Sequence, residues 1–273
     1  TFYPEDLRQK AELSYAASKL GTIEIDGTYY RLQKPATFAS WAEAAPEGFQ
    51  FAIKASRYCT NRKDLREAEE GIGKFLGQGL NELGDKLGPI LWQFMDYKQF
   101  DADEFGDFLA MLPETLDGRP LRHALEVRHE SFACAEFVDL ARQHNAAIVT
   151  ADSDKYPLIS DQTADFSYCR LLRAVADIET GYAAGDLDIW ADRAQAWSRG
   201  EAVEMAGLVG PATELGGNRD VYLYFINGAK ERAPAAALAL RPLRLRKRLG
   251  QLRGEHGRQH EGEQGEQLAP SPS

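Results

Sequence analysis

Seven short apolar runs, rich in β-branched and aromatic residues, alternate along the chain with stretches of helical spacing, and this alternation constrains the fold more tightly than anything else. The runs are Thr22 to Ile25, Phe49 to Ala55, Gly88 to Phe94, Leu121 to Val127, Ala146 to Ala151, Asp165 to Leu171 and Val221 to Ile226. The helical stretches are Glu5 to Lys19, Thr37 to Ala45, Leu65 to Leu83, Asp103 to Leu112, Cys134 to His144, Leu187 to Arg199 and Pro234 to Leu249. A strand that follows a helix and precedes another pairs in parallel through crossover connections, which leaves an open doubly wound sheet or a closed barrel. Length and strand count favour a TIM-type (β/α)8 barrel, with a seven-stranded or open sheet as the alternative. The chain opens on a helix and ends on one, so the barrel reading expects a missing first strand ahead of Thr1.

Residues 1–249 then form a single α/β barrel domain. From 250 to 273 the text is rich in Gly, Glu, Gln and Pro with few large apolar residues, and burial there cannot offset the entropy of ordering. A disordered tail is expected, with His256 and His260 solvated in it. The formal net charge of -10 argues against a surface built to coat nucleic acid or an anionic membrane, so nucleic acid is a partner the charge does not support unless a local basic pocket exists. No apolar run reaches the roughly 18 residues of a membrane span. Cys59, Cys134 and Cys169 are odd in number and widely spaced, which fits neither a disulfide framework nor a zinc ribbon, and a cytoplasmic protein is expected.

In such a fold the chemistry sits where strands end. Glu24 and Asp26 lie two apart, on one face of an extended chain, and suit acid/base work or a cation; the bland alternative is an interior group and a turn residue. Lys54 interrupts an apolar run, and a buried ammonium needs a partner, expected in Glu24 or Glu126, with Arg57 in the loop beyond. In "ALEVRHESF", Glu126 and Arg128 share a face and His129 stands at the exit. Glu126 could serve as base or metal ligand, Arg128 as a fork for carboxylate or phosphate, and His129 as an acid/base near neutral pH. The alternative is a structural network in which Arg128 pairs with Asp152 or Glu24. Asp152 ends the next run, Tyr168 and Arg170 again lie two apart, and Lys230 follows the last run. A gathering of cations in an otherwise acidic protein points to an anionic ligand, and planar Arg donors suit phosphate.

The segments "FYPEDL", "GTIEIDGTYYRL", "FQFAIKASRYCTN", "KLGPILWQF", "ALEVRHESF", "TADFSYCRL" and "VYLYFINGAKERAPAAA" resemble successive motifs of the YecE-like family, known as domain of unknown function 72, over about Phe2 to Leu249. The resemblance implies a TIM-type barrel and no established reaction. It places Glu24, Tyr30, Arg31, Lys54, Arg57, Gln93, Glu126, Arg128, His129, Asp152 and Arg170 on the polar positions of the family pattern. That pattern has Asn where Asp26 stands, His where Asn61 stands and Trp where Phe132 stands, and its opening glycine-tryptophan segment is not in this chain.

The expected function is an enzyme acting on a phosphate-bearing substrate, a phosphodiester or phosphorylated metabolite. Glu126, His129 and Asp152 are its catalytic candidates, and Glu24, Tyr30, Lys54, Arg57, Gln93, Arg128 and Arg170 its substrate-binding ones. A divalent metal among Glu24, Glu126, His129 and Asp152 is a second version, without a diagnostic short spacing. From another class comes a non-catalytic barrel that binds a small anionic ligand. A third reading is an interaction protein that uses the C-terminal helix and tail.

Overall fold

A computed structural model describes residues 2–226 and 228–240; the expected tail, and the last helix beyond residue 240, lie outside the described residues. All seven apolar runs are strands. In chain order the strands are β1 (Thr22–Ile25), β2 (Gln50–Lys54), β3 (Leu87–Gln93), β4 (Thr115–Leu116), β5 (Arg119–Pro120), β6 (His123–Glu126), β7 (Ala147–Ile148), β8 (Thr150–Asp152), β9 (Phe166–Leu171) and β10 (Asp220–Phe225). Five pair in parallel in the order β1-β2-β3-β6-β7, and three in the order β10-β9-β8, also in parallel. The fifth run is thus divided between both sheets at Val149, whose N–H donates to the Leu125 carbonyl.

The parallel strands do not close into a barrel. Among the described residues no ladder joins β1 to β10, and an apolar groove of about 470 Å³, lined by Leu20, Ile23, Leu223, Phe225 and Ala237, separates the two edges. They approach at one point, where the Thr22 and Tyr224 hydroxyls lie 2.7 Å apart.

The helices that cover the sheets are α1 (Glu12–Lys19), the single turn α2 (Gly27–Tyr30), α3 (Pro35–Ala44), the turn α4 (Arg57–Thr60), α5 (Glu69–Leu76), α6 (Ala102–Ala110), α7 (Ala135–Gln143) and α8 (Ala184–Ser198). Local chemistry sets their ends. Pro35 opens α3, and Asp101 Oδ1 caps α6 by accepting from Glu104 N at 2.9 Å. Helix α7 stops in a Schellman motif: Asn145 takes φ 47°, its N–H donates to Arg142 O, and Ala146 N–H donates to Ala141 O, which turns the chain straight into β7. The expected helix from Leu65 to Leu83 is broken into a 3-10 segment, α5 and a second 3-10 segment, because Gly77 ends α5 and Gly79 adopts φ 110°. The β4–β5 hairpin went unread, although Asp117-Gly118 between two extended residues, with φ of 50° and 78°, is the strongest short hairpin signal there is.

Period-2 alternation sorts the strand residues into two layers. Phe51, Ile53, Ile90, Trp92, Phe94, Leu125 and Val127 face the helices and merge with Phe75, Phe105, Phe108 and Phe137. Ring centroids there come as close as 4.8 Å, with edge-on and tilted geometry. The intervening positions face the space between the two sheets. Its deeper part is Ala52, Leu91, Ala124 and Ala147 on one side against Phe166, Tyr168, Tyr222 and Tyr224 on the other, small residues making room for rings.

A buried ion network at the strand ends

Two residues further toward the carboxyl ends the inward positions turn polar. Glu24 on β1, Lys54 on β2, Gln93 on β3, Glu126 on β6 and Arg170 on β9 all follow a small or apolar inward residue two positions earlier, except that β1 offers Thr22 and β9 offers Tyr168. Parallel pairing places all strand ends at one edge, so side chains distant in sequence meet there.

Arg170 is the hub. Its NH1 donates to Glu126 Oε2 at 2.5 Å and its NH2 to Glu24 Oε1 at 2.8 Å, with all three side chains at most 3% exposed. Glu24 Oε2 accepts the Tyr168 hydroxyl at 2.6 Å. Glu126 also accepts Gln93 Nε2 at 2.6 Å on Oε2, and Arg128 Nε and NH2 at 3.1 and 2.9 Å on Oε1. Burial alone would raise the Glu126 carboxyl, but Arg170, Arg128 and the Gln93 amide outweigh it and hold the group below its usual range. Burial opposes the charge of Arg170, yet Glu126 and Glu24 push its pKa above the ordinary guanidinium value. Tyr168 is pushed well up by burial and then by Glu24, so it remains a donor.

Above this layer lies a cavity of about 420 Å³, whose walls include Glu24, Asp26, Tyr30, Lys54, Gln93, Arg128, Arg170 and Lys230. Lys54 pairs with Asp26 Oδ1 at 2.6 Å rather than with the expected Glu24 or Glu126, both already engaged by Arg170. Its ammonium also sits 4.4 Å from the centre of the Tyr29 ring. Arg128 meets neither Asp152 nor Glu24; it forks onto Glu126 and stacks 4.3 Å over Tyr156. Arg57 is exposed beside Tyr58.

The three catalytic candidates do not converge. Glu126 is in the network, but its carboxylate oxygens carry four donors. His129 Nδ1 accepts from Ser131 N at 3.1 Å and lies 2.9 Å from Ser131 Oγ, which itself accepts from Phe100 N; the imidazole caps a turn and is not part of the cavity wall. Asp152 turns to a second cavity of about 390 Å³, where it accepts from Tyr182 Oη at 3.2 Å and lies 3.4 Å from Arg173 NH1. Among the described residues no group of three His, Cys, Asp or Glu could hold a metal, which separates Glu24, Glu126, His129 and Asp152 as a ligand set. Cys59 is buried and its thiol is pushed up to about 12, chiefly by burial, so it is no nucleophile.

Sequence reasoning missed Tyr29, Tyr97 and Tyr156 at this edge. The only signal was their position in loops just after strands. None of the helices among the described residues is long and apolar enough to cross a membrane.

Parallel sheets with a charged polar cavity at their carboxyl edge define an α/β protein with a candidate small-molecule site. The family model for the protein of unknown function DUF72 matches residues 1–259, and the chain belongs to that family. The crystal structure of a DUF72 family protein from Enterococcus faecalis V583 is similar over 85% of this chain and 92% of its own, with 20% identity and a TM-score of 0.65. One from Thermotoga maritima MSB8 is similar over 88% and 90%, with 20% identity and a TM-score of 0.62. At such identity the likeness is one of fold. No curated protein matches the chain.

Proposed function

We propose that the cavity at the carboxyl edge binds a small anionic, phosphate-bearing ligand, and that binding rather than proton transfer by Glu126 is its main task. The observation that carries this reading is the local charge. Around the cavity Glu24, Asp26 and Glu126 are matched by Arg170, Lys54 and Arg128, while Lys230 in the wall and Arg57 nearby stand in no ion pair among the described residues. Two uncompensated cations beside a satisfied network favour an incoming anion in a chain of net charge -10. Catalysis on a phosphoester has weaker support. A base needs an open lone pair, and four donors occupy those of Glu126.

The fold belongs to the same proposal. Eight parallel strands from seven runs in sequential order, with helices between the runs and a polar edge at the carboxyl ends, are read as a (β/α)8-type arrangement standing open between β1 and β10.

Calorimetric titration with inorganic phosphate tests the reading. Phosphate should bind, raise the melting midpoint by mass action, and lose about tenfold or more in affinity in the exposed-charge variant Lys230→Ala. A midpoint that rises equally in that variant would mean salt exclusion from the surface and would sink the proposal.

A further inference from the structure

Phosphate alone does not account for the rim of this cavity. Four tyrosines are exposed by a third or more among the described residues, and three of them, Tyr30, Tyr58 and Tyr97, follow β1, β2 and β3 directly, at 58 to 60% exposure. Three exposed tyrosine rings gathered at one edge form an apolar surface whose faces gain nothing from water. Parallel pairing of β1, β2 and β3 brings these loops to the same edge as the cavity. The contacts agree. Tyr30 lies in the cavity wall, its ring 5.1 Å from that of Tyr29, and Tyr29 feels the charges of Arg128 and Arg57 and the presence of Tyr97. Tyr97 donates to Asn61 at the end of the turn that holds Tyr58. Cations stand beside Tyr58 and beside two further rings of the same edge: Arg57 by Tyr58, Lys54 by Tyr29 and Arg128 by Tyr156.

The rim therefore alternates flat π-faces with cationic groups over a pocket whose unpaired charges are positive. A sugar would use the rings and leave the cations unanswered; inorganic phosphate would use the cations and leave the rings bare. A ligand with a planar ring attached to a phosphate uses both. Base–tyrosine stacking and phosphate–cation attraction are the two terms by which single-stranded nucleic acid is held without sequence readout. The acidic charges at the rim do not oppose this, since Asp26 is bound by Lys54 and Asp96 by Lys155.

We infer that this edge recognises a nucleotide unit, with bases stacked on Tyr30, Tyr58 and Tyr97 and phosphate directed to Arg57 and Lys230, the cations without a carboxylate partner among the described residues. The inference rests on the reading of the cavity as an anion site and adds the stacking half of the ligand. The shared chemistry, base plus phosphate, could arrive as a free nucleotide or as a single strand, and the experiment separates the two.

The test is fluorescence anisotropy and calorimetry on the full chain with four probes: a labelled oligothymidylate of about 12 nucleotides, within the range of single-strand site sizes; an abasic phosphodiester of equal length; adenosine monophosphate; and inorganic phosphate. Tyr30→Ala and Tyr97→Ala are surface changes that leave the core intact. Each should weaken the oligothymidylate roughly 5- to 100-fold while phosphate affinity stays put, and Tyr30→Phe should restore it, since the ring and not the hydroxyl does the stacking. Tighter binding of the strand than of adenosine monophosphate identifies the polymer as ligand, and equal binding identifies the free nucleotide. An abasic strand that binds as tightly as oligothymidylate, or alanine variants that bind it unchanged, overturns the inference while phosphate binding still upholds the anion site. Failure of phosphate and of every other probe brings down both.

Discussion

The two faces of the same strands solve opposite problems. On the outward face of β2, β3 and β6, Phe51, Trp92, Phe94 and Leu125 meet aromatic helix residues in a dry layer with no exposure. On the inward face, one residue away along each strand, Lys54, Gln93 and Glu126 join Arg170 and Glu24 in a layer that is as buried but charged. Stability on the outward face follows from apolar area and fit, which tolerate exchange of like for like. On the inward face it follows from pairing, in which each group is costly alone and acceptable only with its partners present. The difference predicts that the two layers respond to different kinds of substitution, in effects that can be ranked.

The largest effect should come from the hub. Arg170→Met keeps most of the volume but leaves Glu24 buried without its cation and Glu126 with Arg128 alone, and loss of one partner from a buried pair costs about 3–5 kcal/mol. Adding Glu24→Gln and Glu126→Gln removes the stranded charges, so the triple variant should recover most of that loss. Urea denaturation of both variants decides it. A triple variant no more stable than Arg170→Met would mean that Arg170 acts by packing, and the contrast between the faces would fail.

How much of this was legible in the sequence follows from the same contrast. Local alternation locates strands, and it marked Glu24, Lys54, Glu126, Arg128 and Arg170 as inward or terminal positions, which they are. Alternation carries no information about partners across the sheet. Lys54 therefore went to Asp26, its own neighbour across β1 and β2, and not to the glutamates that Arg170 had already engaged. His129 stands outside the cavity wall because a side chain just past a strand can turn back onto its own loop, and the Ser131 amide two residues on is the nearer partner. Asp152 lines the second cavity instead, because β8 pairs with β9 and its end meets Tyr182 and Arg173. Closure of the barrel is a global property, and short-range periodicity cannot report whether β1 and β10 find each other.

A middle-sized effect belongs to the outward face. Phe105 is fully buried, with its ring 4.8 Å from those of Phe94 and Phe132. Phe105→Leu exchanges one apolar side chain for another of somewhat smaller volume in a layer without charge, and should cost about 1.5 kcal/mol, half the loss at Arg170 or less. Equal losses for Phe105→Leu and Arg170→Met would show that volume, and not pairing, governs both layers.

The smallest effect tests the polar exception on the outward face. His123 lies on β6 at an outward position, accepts Trp92 Nε1–H on Nδ1 at 3.1 Å, and has Nε2 2.9 Å from the Pro113 carbonyl, a pattern that needs a neutral imidazole with its proton on Nε2. Burial lowers its pKa, with the Pro113 carbonyl acting weakly the other way. Since the folded pKa lies below the unfolded value of about 6.5, acid protonates the unfolded chain first, and stability must fall as pH drops below about 6.5. One proton limits the slope to about 1.4 kcal/mol per pH unit. Glu126 has the same sign, yet its loss begins only near the ordinary carboxylate range, so the interval between about pH 7 and 5 isolates the histidine. His123→Phe, though less stable at every pH because Trp92 loses its acceptor, should flatten the decline over that interval. Parallel curves for the two proteins in denaturation series would show that His123 takes up its proton equally in the folded and unfolded chains, and burial in the outward layer would then leave its titration unchanged.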